Sequence, residues 1–262
     1  MGKKSHKIIV LLLSVVIFVP FKNYTAQVKD KIEVGIEERQ GKYLPMDAEF
    51  VTSENDTVAL KNIINKPFLL DVGYYNCPGI CHPLLSELSW AVDRIKMNPG
   101  TDFQVVFLSF DPKEDYTIAQ KWKKSYLKGM KRKMPPNSWY FLSGDSVNIK
   151  KITDAVGFDY RPNGRNFIHA GSVESISADG KISRYIYGST FNPFDLKMAL
   201  IDAQNDEVRP TSAKLLQLCF SYDPSGRKYS LNVTRIVGAL MILGLFSFFI
   251  VVVFKKKKKD VI

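Results

Sequence analysis

P-F-L-L-D-V-G-Y-Y-N-C-P-G-I-C-H-P, residues 67–83, joins a long apolar run to two closely spaced cysteines. The apolar part, 67–75, is nearly continuous and therefore predicts a strand that is buried on both faces of a sheet. Residues 82–97 then carry apolar side chains at helical spacing, with a proline in the first turn, where it is tolerated. The stretch thus predicts a strand that leads into a helix, with Cys77 and Cys81 at the junction.

The segments that follow continue the alternation of strand and helix. In chain order, the patterns predict a strand at 103–110, a helix at 116–130, a strand at 139–142, a helix at 145–156 capped by Asp145, a hairpin over 171–187 that turns at Asp179-Gly180, and a helix at 193–203. This order predicts an α/β domain with a mixed sheet covered by helices on both faces.

The basic residues are concentrated at the two ends of the chain. The 262 residues include 37 lysines and arginines against 26 acids, a formal net charge of +11. Ten of the basic residues lie in the first 26 positions or around an apolar run near the C-terminus, which leaves 27–234 close to neutral. A basic face for phosphates is therefore not expected, and we predict no nucleic-acid partner.

Residues 1–26 are typical of a secretory targeting segment. Lysines precede an apolar run of 14 residues, 8–21, which is apolar apart from Ser14. This run is short for a spanning helix and fits the core of a signal peptide. We expect cleavage after Ala26, although Tyr24 departs from the usual small-residue pattern; an uncleaved anchor is the alternative.

The C-terminal region predicts a transmembrane helix at 233–254. Its apolar run, 236–254, has 19 residues without a charge, close to the length that spans a hydrocarbon core at about 1.5 Å per residue. Five lysines follow, so the tail 255–262 is expected on the cytoplasmic side. The domain at 27–203 and a polar linker at 204–232 would then lie on the non-cytoplasmic, periplasmic-type face of the cell membrane.

The cysteine pair is the main chemical signal in the sequence. Cys77 and Cys81 are four residues apart at the predicted start of a helix, where free N–H groups and the helix dipole stabilise a thiolate. Two thiolates make a site that prefers soft metals, above all Cu(I).

Other interpretations of the pair remain open at this point. A structural disulfide would close a very short loop and contribute little chain-entropy stabilisation. Covalent haem attachment usually needs C-x-x-C-H, whereas three residues separate these cysteines, although His82 does follow Cys81. A thiol–disulfide oxidoreductase would use the same two sulfurs without a metal.

Three histidines are available as a further ligand. His6 lies in the targeting segment, and His82 is next to Cys81, where consecutive helical side chains point about 100° apart. His169, in N-F-I-H-A-G before the hairpin, is the remaining candidate. We therefore predict a metal site of Cys77, Cys81 and His169, against the alternative that His169 is a hydrogen-bonded structural residue.

With these motifs, the sequence resembles the SCO/SenC family of thioredoxin-like copper proteins over about residues 45–203. The resemblance depends on C-P-G-I-C (77–81) after the apolar strand, on F-L-S-F-D-P-K-E-D (107–115), and on His169 before the D-G hairpin. It implies a thioredoxin-like fold in which Cys77, Cys81 and His169 bind copper. It also implies a role in assembling the copper centre of cytochrome c oxidase, with the copper-site subunit of the oxidase as partner.

Three features depart from the family pattern. His82 follows the second cysteine where proline is common, Ile168 replaces the usual acid before the histidine, and a membrane helix is predicted at the C-terminus. The changes at His82 and Ile168 are expected to affect the copper affinity or the reduction potential of the site. The C-terminal membrane helix changes only how the domain is attached to the membrane.

Other polar or reactive residues receive less specific predictions. Asp111 and Asp115 belong to a turn after the second strand, and Asp111 is either close to the cysteines or a turn or capping residue. Cys219 is interpreted as an inert thiol. The aromatic residues at 122, 126, 139 and 140 are expected in the core.

The hypothesis that these observations favour is a membrane-tethered, copper-binding metallochaperone. The alternative is a thiol–disulfide oxidoreductase that keeps partner cysteines reduced. A purely redox role would not need His169, whereas a copper role would.

Overall fold

The structure is a computed structural model that describes residues 34–210, 220–223 and 228–231, and five positions between 241 and 248. The targeting segment, most of the predicted membrane helix, its lysine tail and Cys219 lie outside the described residues. No helix in the described part of the chain is both long enough and apolar enough to cross a membrane. What the sequence predicts for the two ends therefore stays a prediction.

The described elements follow the predicted alternation. The strands are β1 (Gly35–Ile36), β2 (Glu49–Thr52), β3 (Thr57–Ala59), β4 (Phe68–Gly73), β5 (Gln104–Ser109), β6 (Trp139–Ser143), β7 (Phe158–Asn163), β8 (Asn166–His169), β9 (Ser172–Ile176), β10 (Ile182–Tyr187), β11 (Phe220–Asp223) and β12 (Lys228–Leu231). The helices with assigned bounds are α1 (Leu60–Ile63), α2 (Cys81–Val92), α3 (Tyr116–Lys128), α4 (Ser146–Ala155) and α5 (Pro193–Gln204).

Within the described residues, the main sheet has seven strands in the order β10-β9-β4-β5-β6-β2-β3. Strands β4, β5 and β6 are parallel, and the strands on either side pair antiparallel. Every residue of β4 and of β5 is buried, as the apolar runs predicted. The mixed sheet is thus confirmed.

Both faces of this sheet are covered. On one face, α2 lies against α3 and α5, and the Ser175 hydroxyl on β9 donates to the Ala199 carbonyl of α5. On the other face, the Tyr185 hydroxyl on β10 donates to the Val156 carbonyl at the end of α4. The predicted cap at Asp145 is confirmed, because its carboxylate accepts the N–H groups of Val147 and Asn148.

The short strands are the elements that the sequence patterns missed. The smaller sheet β1-β7-β8 contains a hairpin that ends at His169, and β11 pairs with β12 inside the stretch 204–232 that was predicted to be an irregular linker. Strands β1, β8, β11 and β12 have two to four residues and show at most two side chains on each face, too few for a clear period. Strand β7 has six residues, but only Phe158 among them is fully buried.

Candidate metal centre

The three predicted ligands converge on one point. The sulfur atoms of Cys77 and Cys81 and a ring nitrogen of His169 all lie within 4.8 Å of one another. His169 Nε2 is 3.8 Å from Cys77 Sγ and 3.4 Å from Cys81 Sγ. Among the described residues, this is the one cluster of histidine, cysteine and acidic side chains compact enough to hold a metal ion.

Local backbone structure places each ligand. Cys77 lies in the turn after β4, Cys81 is the first residue of α2, and His169 is the last residue of β8. Gly73, the last residue of β4, makes room for the second sulfur, because a Cβ there would lie 3.2 Å from Cys81 Sγ and 3.1 Å from the Phe107 ring. Helix α2 can therefore approach β4 this closely only because Gly73 has no side chain.

A hydrogen bond fixes the tautomer of His169. Nδ1 lies 2.7 Å from the carbonyl oxygen of Ala170, which can only accept, so Nδ1 carries the proton. Nε2 is left with its lone pair directed at the two sulfurs. The rings of Tyr74, Phe110 and Phe158 surround the imidazole, with centroids 5.3–5.8 Å away. The imidazole is thus held in the tautomer and orientation that metal ligation requires.

The two thiols share their protons unequally. A hydrogen bond from Cys81 is the largest cause that lowers the pKa of Cys77; burial opposes it, and the backbone N–H groups of Cys81 and Gly79 lower it further. The pKa of Cys81 is raised, first because Cys81 hydrogen-bonds to Cys77 and then by burial. The thiolate of the pair therefore resides on Cys77, at the entrance to the helix.

Glu114 is a buried acid beside the cysteine turn that the sequence prediction missed. Its carboxylate accepts the backbone N–H groups of Tyr75 and Asn76, which immediately precede Cys77. Burial raises the pKa of Glu114, whereas the hydrogen bonds from Ser109, Tyr75 and Asn76 lower it. The sequence signal was its position in a loop at the carboxyl end of β5, next to the carboxyl end of β4.

The neighbouring aspartates have structural roles. Asp111 Oδ1 accepts the N–H of Lys113 within its own turn, and Asp111 is not part of the metal cluster. Asp115 caps α3 by accepting the N–H groups of Thr117 and Ile118. Asp111 thus has a turn role and Asp115 a capping role. The acid that reaches the cysteine turn is Glu114, which lies between them in the chain.

A second buried carboxyl, Asp71, lies in β4 behind the cysteines. Asp71 is two residues before Gly73 in the strand, so its side chain lies on the same face of the sheet as a side chain at position 73 would. That face is the one turned toward Cys81 Sγ. Burial is the main cause that raises the pKa of Asp71, and the charges of Glu174 and Cys77 add to it. The neutral acid is therefore favoured, which avoids a second negative charge beneath the thiolate.

His82 faces away from the cluster. Its ring stacks on Trp122 with centroids 4.2 Å apart, and its Nδ1 lies 2.9 Å from the Tyr126 hydroxyl. The sequence indicated that His82 is awkwardly placed to share a metal with Cys81, and its ring lies outside the cluster of Cys77, Cys81 and His169. Trp122 and Trp139 are buried in the core, and Tyr126 and Tyr140 pack against it, as predicted.

The spacing of the donor atoms fits a trigonal metal site. With metal–sulfur and metal–nitrogen bonds of about 2.3 and 2.0 Å, a planar three-ligand site separates sulfur from nitrogen by about 3.7 Å. The observed separations of 3.8 and 3.4 Å match this value closely. Two sulfurs and one imidazole form a donor set suited to a soft ion.

A cavity of about 630 Å³ opens beside the cluster. Its walls are the loop from Cys77 to Ile80, strand β8 with the residues that follow it, and Gly188-Ser189. Two of the three residues of the cluster, Cys77 and His169, line this cavity.

Fold and site together define a thioredoxin-like α/β protein with a buried cluster of two cysteines and one histidine. The chain belongs to the SCO1/SenC family, whose model matches residues 37–224. This confirms the family resemblance that the motifs indicated.

Individual relatives agree with this assignment. A protein of Aquifex aeolicus VF5, named as a candidate electron transfer protein, is 29% identical, with a TM-score of 0.58 over 64% of this chain and 95% of that one. Arabidopsis thaliana ScoI, solved with copper bound, has the same fold at 22% identity and a TM-score of 0.50, over 64% of this chain and 99% of that one. The Arabidopsis thaliana protein SCO1 homolog 1, mitochondrial, is 39% identical over 70 residues, 27% of this chain and about a fifth (21%) of the relative's length.

Proposed function

We propose that the chain binds copper through Cys77, Cys81 and His169 and takes part in assembling the copper centre of cytochrome c oxidase. The observation that carries this proposal is the convergence of two sulfurs and one unprotonated imidazole nitrogen within 4.8 Å. Copper is the cargo, and the copper-site subunit of the oxidase is the acceptor implied by the family. The copper bound to Arabidopsis ScoI, a protein of the same fold, supports the choice of metal.

The donor set suits both oxidation states of copper. Two thiolates hold Cu(I), which prefers soft sulfur, and the imidazole supplies the nitrogen that Cu(II) prefers in addition. Because Cys77 already carries the thiolate, copper binding has to displace a proton only from Cys81. Copper affinity is therefore expected to rise with pH.

We also propose that the protein is tethered to the cell membrane, with its domain on the non-cytoplasmic face. The apolar run 236–254 and the lysines after it support the tether, and the basic and apolar pattern of residues 1–26 supports export. The body of the chain is close to neutral, in keeping with a protein partner rather than a nucleic acid.

Copper titration of the reduced full chain tests the proposal. We expect one tightly held Cu(I) per chain, and we expect that either Cys77→Ser or Cys81→Ser abolishes tight binding, because one thiolate and one imidazole make a much weaker soft-metal site. Cys219→Ser is the matched control and should bind as the wild type does. Equal binding by all three variants would contradict the proposed site.

The second candidate function is a thiol–disulfide oxidoreductase. The unequal sharing of protons favours it, because a stabilised thiolate at Cys77 is the form that attacks a disulfide. Reduction of a partner disulfide that survives in His169→Ala, together with normal oxidase assembly in cells, would favour this function over copper delivery.

A further inference from the structure

We propose that Glu114 is a positioning residue for the metal centre, because its carboxylate holds the turn that delivers Cys77 to the cluster. This inference rests on the proposed function, in which the cluster binds copper. Glu114 contacts neither sulfur through a hydrogen bond; it acts through the two residues that precede Cys77.

The carboxylate accepts four hydrogen bonds. Oε2 accepts the Tyr75 N–H and the Ser109 hydroxyl, both at 2.6 Å. Oε1 accepts the backbone N–H of Asn76 at 2.7 Å and its side-chain amide at 2.8 Å. The residue is only 6% exposed, so water is not a ready substitute for these contacts.

These contacts control a turn whose last residue is a metal ligand. The Cys77 N–H donates to the Tyr74 carbonyl at 3.3 Å, so Tyr75 and Asn76 are the two central residues of a four-residue turn. The N–H groups of the two central residues are not satisfied by the turn itself. Glu114 accepts both of them and thereby fixes the direction in which the chain enters Cys77.

The carboxylate also ties this turn to a rigid neighbour. Ser109 is the last residue of β5, and it pairs with Gly73, the last residue of β4. The Glu114 N–H donates to the Asp111 carbonyl at 3.1 Å, which holds the acid in its own loop. The position of Cys77 is therefore fixed by contacts to the ends of two adjacent strands, β4 and β5, and not by a loop alone.

The chemistry of the site requires an acid at position 114. Both backbone partners are obligate donors, and the carboxylate presents an acceptor oxygen to each of them. A glutamine would have to aim its NH₂ group at one side, where it would meet the N–H of either Tyr75 or Asn76. One buried N–H would then lose its acceptor in either amide orientation.

The test compares Glu114→Gln with Gln104→Ala in the full chain. Gln104 is a matched control because it also joins loops through a buried side chain, accepting the Asn65 N–H at 3.0 Å and donating to the Ile63 carbonyl at 2.9 Å, but at the opposite end of β5. The readouts are Cu(I) affinity by chelator competition, the reduction potential of the Cys77–Cys81 pair without metal, and the free energy of unfolding.

We expect Glu114→Gln to weaken Cu(I) binding by about 10–100-fold, as losses of groups that orient metal ligands do, and to shift the reduction potential. Glu114→Asp, which keeps the charge but is one methylene shorter, should lie between Glu114→Gln and the wild type. Gln104→Ala should lower stability while leaving affinity and potential unchanged. If Glu114→Gln and Gln104→Ala lose affinity equally at matched stability, the positioning role is wrong.

The remaining outcomes are also decisive. If the wild type binds no copper, the proposed function fails, but a reduction potential shifted in Glu114→Gln alone still supports the positioning of Cys77. If Glu114→Gln does not fold, Glu114→Asp carries the comparison. If neither variant folds, Glu114 is a residue of general stability and the inference is overturned.

Discussion

Cys81 Sγ lies 3.4 Å from His169 Nε2, although 88 positions separate the two residues in the chain. The cysteine begins a helix that follows the main sheet, and the histidine ends a strand of the smaller sheet. Their contact is therefore a product of the tertiary fold, and it gives His169 a role that can be tested apart from the cysteines.

The first prediction concerns His169→Ala. Loss of the imidazole should weaken Cu(II) far more than Cu(I), because Cu(I) keeps both sulfurs whereas Cu(II) also needs nitrogen. The thiolate-to-Cu(II) charge-transfer absorption should fade or shift in the variant. His82→Ala is the control and should keep the wild-type spectrum, since that ring stacks on Trp122 outside the cluster. A loss in His82→Ala with none in His169→Ala would reverse the ligand assignment.

The second prediction concerns Gly73→Ala. The added methyl group would lie 3.1 Å from the Phe107 ring and 3.2 Å from Cys81 Sγ, so the helix or the ring has to shift. We expect a loss of about 1–3 kcal/mol in the free energy of unfolding, as for other overpacked cores, and weaker copper binding. Gly35→Ala is the control, because nothing lies within 4 Å of a Cβ there. Identical copper affinity in Gly73→Ala and the wild type would show that the sulfur tolerates displacement.

The third prediction concerns the pH dependence of stability through Glu174. Burial raises the pKa of this acid from 4.5 to about 8, while the Ser172 hydroxyl donates to one of its oxygens. The folded chain therefore keeps the proton up to about pH 8, whereas the unfolded chain releases it near pH 4.5. Stability from this group is fully present below about pH 4.5 and is lost as the pH rises to about 8, by at most about 1.4 kcal/mol per pH unit.

Denaturant unfolding between pH 4.5 and 8 measures this effect. In Glu174→Gln, the free energy of unfolding should no longer fall with pH through this group, since glutamine cannot ionise. The variant should therefore gain stability relative to the wild type as the pH rises. Glu49→Gln, which alters an exposed acid on β2, should keep the wild-type slope. Parallel curves for the wild type and Glu174→Gln would show that Glu174 does not titrate in this range.

The fourth prediction concerns membrane topology. A reporter that is active only in the cytoplasm should be active when fused after Ile262, because lysines that follow an apolar run, as at 255–259, favour the cytoplasmic side. The same reporter fused after Leu231, before the apolar run, should be inactive. Activity at both positions would contradict the predicted orientation.

Local patterns predicted the elements that surround the cysteines. The apolar runs of β4 and β5 and the helical spacing of α2 were sufficient, since strands buried on both faces and long amphipathic helices have strong signals. The hairpin β7–β8 was missed because most of β7 is exposed or half-buried and β8 has only four residues. The candidate ligand at its end, His169, was predicted from residue chemistry instead.

Glu114 shows why the rest of the site could not be predicted. Asp111 was the more conspicuous acid because it begins the D-P turn, but its carboxylate is used within that turn. The role of Glu114 comes from backbone N–H groups 38 and 39 positions earlier in the chain. Only the parallel pairing of β4 with β5 brings these groups together, and no local pattern encodes which loop side chain will face them.

The division of the ligands between two sheets gives bound metal a mechanical role. Cys77 and Cys81 follow the main sheet, while His169 ends β8 of the smaller one, so an ion held by all three would cross-link the two sheets. By mass action, a ligand present at 100 times its Kd raises the unfolding free energy by about 2.7 kcal/mol. The melting temperature therefore reports what fraction of the chains holds bound metal, and it can be measured without removing the metal.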